Sequence, residues 1–265
     1  MDAVQFSRGP EGEKLAFLED GGGQDLGRCG FFWLGGFKSD MQGGKAEALA
    51  VLARETRRAS LRFDYSGHGK SAGVFTDGTI SRWLAQALHM FSAHAPGKRI
   101  VVGSSMGGWL AMLLLQELRR SQPKAANRIA GLVLIAPAAD MTADLMWDAF
   151  SPKAREAIRD KGVWMNPSSY GEPYPITAEL IEDGAAHLIL EKGLMASCPV
   201  RILQGEADPD VPPAHALKVF ESIAAPDISL TLIKGGDHRL STPANLMLIR
   251  ETVLRLAERA DGIMV

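Results

Sequence analysis

The stretch VVGSSMGGWL (101–110) holds a serine with a glycine two residues away on each side, Gly103-x-Ser105-x-Gly107. It follows the apolar run RIVV and opens the helical run MGGWLAMLLLQEL. A serine at such a strand–turn–helix junction has its hydroxyl lifted above the sheet edge, where it can act as a nucleophile. So sharp a turn leaves no room for bulk at the flanking positions, and glycine occupies both. Ser104 lacks that flanking pattern and is the unspecified second residue of the turn. The N–H of Met106 falls at a helix N-terminus, where a developing oxyanion is favoured.

A serine hydroxyl needs a base to take its proton and an acid to orient the base. LQGEADPDVPP (203–213) carries Asp208 in the loop after the apolar run VRIL, and IKGGDHRLS (233–241) carries His238 after LTLI. His238 is expected to move the proton between Ser105 and the leaving group, with Asp208 fixing its tautomer. Asp210 is the serious alternative to Asp208. Glu206 and Asp237 also lie close in sequence, although Asp237 adjoins His238 and is expected to point elsewhere. FFWLGGFKSD places Gly35 and Gly36 before Phe37, whose N–H is the expected second oxyanion donor. His68, His89, His94, His187 and His215 have no such context and read as surface or packing residues.

Two other motifs point to different chemistry and fail on it. GHGKSA (67–72) fits the G-x-G-x-x-A of a dinucleotide site, but no acidic residue ends a strand about 20 residues later to hold a ribose. The same GKS resembles the end of a phosphate-binding P-loop, but residue 64 is Asp where glycine is required. Both read as a structural turn. His89 and His94 are five apart and do not share a helix face, so no metal site is expected. No cofactor is implied.

These side chains need a scaffold that brings loop ends together. Short apolar runs recur at 15–19, 31–35, 61–65, 99–103, 131–136, 200–204 and 230–234. Several are continuously apolar between Gly or Pro, as expected of strands buried on both faces of a mostly parallel sheet. Helical patterns lie between them. In TISRWLAQALHMF the apolar positions Ile80, Trp83, Leu84, Ala87, Leu88 and Phe91 repeat at helical spacing. In TPANLMLIRETVLRLAER, Thr242 is an N-cap with Pro243 at the first helical position, and Leu246, Ile249, Val253 and Leu256 form the inner stripe. Alternating strands and helices give an α/β class with crossovers.

Residues 139–195 break the rhythm. They show no clear strand, two helical patterns at about 141–161 and 177–192, and a turn-rich GVWMNPSSYGEPYP between them. An insertion of this length is expected to cover a site. The division is therefore a core of 1–138 and 196–265 with a helical cap over 139–195. Trp109, Trp147, Phe150, Trp164 and Met165 are candidates for an apolar acyl pocket near the cap, although the same residues also suit an ordinary core.

Composition narrows the partners. The net charge of -2, from 29 basic and 31 acidic residues, excludes a nucleic-acid partner held through phosphates. The N-terminus lacks an apolar signal core, and the most apolar run, WLAMLLL, is too short to span a membrane. Two cysteines, Cys29 and Cys198, make no disulfide framework. A cytoplasmic location is the expectation.

The motifs LGGFKSDMQGGKA, RFDYSGHGKS, GSSMGGW, GEADPDVP and GGDHR, in this order, resemble the α/β-hydrolase superfamily across most of the chain. KGVWMNPSSY extends a closer likeness, to the abhydrolase domain-containing protein 10 family, into the cap. That family comprises mitochondrial thioesterases of palmitoylated proteins that also hydrolyse acyl glucuronides. The resemblance implies a Ser105–Asp208–His238 triad, Phe37 and Met106 as oxyanion donors, and thioesterase activity on a small-molecule or acylated-protein substrate. The absence of an evident transit peptide departs from the family and suggests a bacterial cytosolic relative. The expected function is thus a serine hydrolase of esters or thioesters acting through an acyl-enzyme. The same three residues also serve peptidases, carbon–carbon hydrolases and cofactor-free haloperoxidases, and a ligand-binding module that kept the fold is the reading outside enzymes.

Overall fold

The computed structural model describes residues 3–21, 27–167 and 172–263. The strands are β1 (Gln5–Arg8), β2 (Lys14–Asp20), β3 (Gly30–Leu34), β4 (Ser60–Phe63), β5 (Arg99–Ser104), β6 (Ile129–Ile135), β7 (Val163–Asn166), β8 (Tyr174–Thr177), β9 (Leu194–Met195), β10 (Val200–Gly205), β11 (Ile223–Ala224) and β12 (Ile228–Ile233). The helices are α1 (Gly44–Thr56), α2 (Ile80–His94), α3 (Met106–Ser121), α4 (Pro123–Ala126), α5 (Pro152–Lys161), α6 (Ala178–Ala185), α7 (Pro213–Ser222) and α8 (Pro243–Ala260).

Eight strands form one sheet in the order β1-β2-β4-β3-β5-β6-β10-β12. β1 and β2 run antiparallel at one edge, and the pairs from β4 to β12 are parallel. All seven apolar runs in the sequence are strands of this sheet. β1 is the strand that its sequence hides, because QFSR is a mostly exposed edge segment without an apolar run.

Alternation along each strand sorts side chains to two faces. Phe32, Leu34, Val101, Leu132 and Leu134 join Trp83, Phe91, Leu110 and Leu114 in the larger core. Phe31, Trp33, Ile100, Val102, Val133 and Ile135 pack with Leu49, Ala53, Ile249, Val253 and Leu256 on the other side. The first face is covered by α2 and α3 and the second by α1 and α8. The hydroxyl of Thr242 accepts from the Asn245 N–H at the start of α8, so the N-cap reading holds there. Cys29 and Cys198 are both buried free thiols. Among the described residues, no helix is long and apolar enough to cross a membrane.

Between β6 and β10 the chain leaves the sheet. Residues 141–147 wind into a π-helix rather than an α-helix, and α5 starts anew after the N-cap Ser151, whose hydroxyl accepts from the Ala154 N–H. The expectation of a purely helical, strand-free insertion is corrected here: β7 and β8 form an antiparallel pair, with Trp164 opposite Ile176. Val163–Asn166 alternates only between exposed and half-buried positions and Tyr174–Thr177 buries Ile176 alone, so the sequence shows no clear strand period. The loop residues 168–171 of the turn-rich stretch lie outside the described residues. α6 is shorter than its pattern, ending at Ala185, and Gly184 brings it against the π-helix. A methyl there would lie 2.1 Å from Thr142 Oγ1.

Candidate active site

β5 delivers Ser105 to the carboxyl edge of the sheet. The turn forces it to φ 55° and ψ −120°, a rare conformation for a residue with a side chain. Two contacts explain the flanking glycines. A methyl on Gly103 would lie 2.1 Å from the Gly107 carbonyl, and one on Gly107 would lie 2.1 Å from that of Leu34. The Ser105 N–H donates to Ile135 O at 2.9 Å, and its carbonyl accepts from Gly108 and Ala138. The strained turn is thereby tied to β6 and to the start of α3.

β12 ends in the loop that carries His238, and β10 ends in the loop that carries Asp208. The three side chains meet. His238 Nε2 lies 3.1 Å from Ser105 Oγ, and His238 Nδ1 lies 2.9 Å from Asp208 Oδ2. A carboxylate can only accept, so Nδ1 carries the proton and Nε2 presents its lone pair to the Ser105 hydroxyl. Asp208 is buried and accepts three further bonds, from Gln204 Nε2 at 3.1 Å and from the N–H groups of Asp210 and Val211 at 2.9 Å each. Burial pushes its carboxyl up, but these bonds, led by that of His238, outweigh burial and hold it below the usual carboxylate range.

The competing acids are placed elsewhere. Glu206 pairs with Lys234 and the Gly235 N–H, and Asp237 accepts from the Leu240 N–H. Asp210 is exposed and lines the cavity beside His238. Asp208, Asp210 and His238 do have ligand atoms within 4.8 Å of one another, but two of the three are already committed to each other by hydrogen bonding.

The loop after β3 passes against Ser105. A methyl on Gly36 would lie 3.3 Å from Ser105 Cβ and 3.2 Å from the Ser104 carbonyl, so the missing side chain lets the loop come this close without displacing its neighbours. Phe37 follows directly. Met106 is the first residue of α3, where backbone N–H groups have no intrahelical acceptor. Ser105 thus lies between Phe37 on the loop after β3 and Met106 at the start of α3.

A cavity of about 550 Å³ opens over Ser105 and His238. The insertion supplies Met141, Leu145, Met146 and Phe150 as an apolar wall, and Asn166 and Tyr174 as a polar one. Of the expected aromatic lining, Phe150 is present. Trp109, Trp147, Trp164 and Met165 are not among the lining residues, which corrects that expectation. Trp109 lies on the core face of α3 and is fully buried. Trp147 packs on the core, with the guanidinium groups of Arg155 and Arg159 over its ring. Trp164 is half-buried in β7, and Met165, its neighbour, points outward with 51% exposure.

Residues that the sequence did not single out complete the site. Fully buried Gln204 also donates to the carbonyls of Gly205 and Val211, which fixes the acid loop. The Lys45 ammonium on α1 donates to the carbonyl of Arg239, next to His238. Burial lowers that amine from 10.5 to about 8. Asp64 accepts from the Met41 N–H at 2.6 Å and the Lys70 N–H at 2.8 Å, binding the loop after β3 to the loop after β4. The signals available were Gln204 at the end of its strand, and Lys45 and Asp64 inside the motifs SDMQGGKA and RFDYSGHGKS.

A family model described as the alpha/beta hydrolase family matches residues 28–246. The chain belongs to the α/β hydrolase family. Mouse palmitoyl-protein thioesterase ABHD10, a mitochondrial protein, is 32% identical over 236 residues, which cover 88% of this chain and 77% of that one. The structure of a putative hydrolase from Agrobacterium vitis S4 superposes with a TM-score of 0.90 at 42% identity, covering 97% of this chain and 99% of the other. The structure of mouse alpha/beta hydrolase domain-containing protein 10 gives a TM-score of 0.84 at 31% identity, with the same coverage of each chain. The protein is therefore a hydrolase related to ABHD10.

Proposed function

We propose that this hydrolase cleaves carboxylic esters or thioesters through an acyl-enzyme on Ser105. The observation that carries the reading is the unbroken hydrogen-bonded relay Ser105–His238–Asp208, with the imidazole in the tautomer that accepts from serine. Ser105 Oγ attacks the acyl carbonyl while His238 Nε2 takes its proton. The N–H groups of Phe37 and Met106 bind the oxyanion. His238 then protonates the leaving alkoxide or thiolate, and Asp208 stabilises the imidazolium between the two transfers. A water deprotonated by His238 attacks the acyl carbonyl, the bond to Ser105 Oγ breaks, His238 returns the proton to Oγ, and the acid leaves.

The Met141, Leu145, Met146 and Phe150 wall suits an acyl chain, and the Asn166–Tyr174 side suits a polar leaving group. ABHD10 is named a palmitoyl-protein thioesterase, which favours an acyl thioester or ester of a small molecule or an acylated protein as substrate. Residues 139–195 act as the lid in this reading, because the π-helix, the β7–β8 pair and the segments beside them supply half of the lining residues.

A fluorophosphonate probe tests the nucleophile. Wild-type protein is expected to label and Ser105→Ala is not. An unlabelled wild type, or equal labelling of both, sinks the reading.

A further inference from the structure

The motif RFDYSGHGKS is unused by the relay, yet it ends against the oxyanion loop. We infer that His68 is a positioning residue that latches the Phe37–Lys38 backbone and so holds the oxyanion donor in place. The inference rests on the reading of Phe37 as that donor.

His68 is not a surface residue: it is 4% exposed. Its ring lies between Phe75 at 5.3 Å and Trp83 at 5.2 Å, both edge-on, with Tyr65 at 5.8 Å. Phe37 packs on the same Phe75 and Trp83, at 5.0 and 5.8 Å. The latch and the residue it holds therefore share one aromatic bed.

Both ring nitrogens are committed, and each commitment demands the same tautomer. Nδ1 faces the Ser66 carbonyl at 3.1 Å, which can only accept, so Nδ1 carries the proton. Nε2 lies 3.2 Å from the Lys38 N–H, which can only donate, so Nε2 presents its lone pair. Burial lowers the imidazole's affinity for a second proton, which keeps that lone pair available.

The held backbone needs holding. Lys38 sits at φ 58°, the left-handed region that a lysine seldom adopts. Its N–H belongs to the 37–38 peptide, which joins the 36–37 peptide bearing the Phe37 N–H at the Phe37 Cα, so pinning it restricts the rotations left to that donor. On one side Ser39 returns its N–H and hydroxyl to Gly36 O, at 3.1 and 2.8 Å. Beyond it Asp64 takes the Met41 N–H. His68 supplies the anchor between these two, at the strained residue itself. An oxyanion donor is useful only if it is oriented before charge develops, so loosening it is expected to act on the transition state and leave ground-state binding alone.

Two arms test this. In the first, His68→Leu removes the acceptor and His68→Gln returns one at the position of Nε2. The leucine variant is expected to lose kcat by about 10²-fold, the scale of one oxyanion donor, with KM changed less than about threefold. A boronic acid or trifluoromethyl ketone should weaken by the same factor, the product acid should bind as before, and the glutamine variant should recover most of kcat. Full kcat in folded His68→Leu, or equal loss in both variants with unchanged inhibitor binding, overturns the inference. The second arm uses the unmodified protein. Long-range proton–nitrogen NMR at neutral pH is expected to show His68 protonated at Nδ1 alone. A proton on Nε2 overturns the latch, and this readout is independent of whether Ser105 is a nucleophile.

Discussion

Gln204 Nε2 donates at 3.1 Å to Asp208 Oδ2, the same carboxylate oxygen that accepts the Nδ1–H of His238. The amide orientation follows from its surroundings, because the two hydrogens of Nε2 are shared among three acceptors: Asp208 Oδ2, Gly205 O and Val211 O. The acid is thus aimed by a fully buried residue one strand-end upstream of it.

Gln204→Leu should lower both stability and turnover. Leaving the Gly205 and Val211 carbonyls without this donor costs about 1–3 kcal/mol in denaturant unfolding. The loss of one bond to the carboxylate should reduce kcat by about tenfold. Gln204→Glu should be worse at neutral pH, because it faces the Asp208 carboxylate with a second negative charge. Equal or higher kcat in Gln204→Glu would show that the amide does not aim the acid.

Asp208→Asn should lower kcat by about 10⁴-fold, because the amide favours the His238 tautomer with its proton on Nε2, which cannot accept from Ser105. Asp210→Asn keeps the backbone N–H that Asp208 accepts and should cost less than about tenfold. Steady-state rates with one p-nitrophenyl ester decide between the two acids, and the reverse ranking would reassign the role.

Lys45 predicts a pH dependence of stability with a definite sign. Its folded value is about 8 against an ordinary 10.5. Below pH 8 the folded and unfolded chains both hold the proton, and the cost of burying the charge is fully present. Between these two values the unfolded chain binds more protons than the folded one, so stability rises with pH. The wild type should therefore gain on Lys45→Met as pH is raised from 7 to 10, measured as the difference in unfolding free energy. A difference that is flat or falls would contradict the buried ammonium.

The apolar wall should set acyl-chain preference. Leu145→Trp or Met146→Trp narrows a cavity of about 550 Å³ and should shift the optimum of a p-nitrophenyl ester series toward shorter chains. Trp164→Ala, outside the lining, should leave the profile unchanged. Matching profiles for wild type and both tryptophan variants would place the acyl chain elsewhere.

How much of this was legible depended on how local each signal is. The turn at Ser105 is specified within ten residues, because the strand, the two glycines and the helix start are contiguous. The apolar runs read as strands for the same reason: burial on both faces leaves a continuous signature. The β7–β8 pair left none, since Ile176 is the one buried residue of its two strands. The aromatic residues of the insertion showed size and hydrophobicity, but these suit a core as well as a pocket. Trp147 went to the core and Phe150 to the cavity.

Residue types and spacing alone specify the class of sheet, the sharp turn at Ser105 and the loops able to bring a carboxylate and an imidazole to it. These follow from nearest-neighbour sterics and from hydrophobic periodicity, which a linear chain carries in full. What residue order leaves open is which of Asp208 and Asp210, two residues apart on one loop, meets the imidazole: the fold buries the first against His238 and Gln204 and leaves the second exposed. It alone also turned His68 from an isolated histidine into a backbone acceptor for Lys38, 30 residues earlier. Such assignments depend on direction and distance between segments remote in the chain, and residue type and spacing do not encode those until the sheet has stacked the segments side by side.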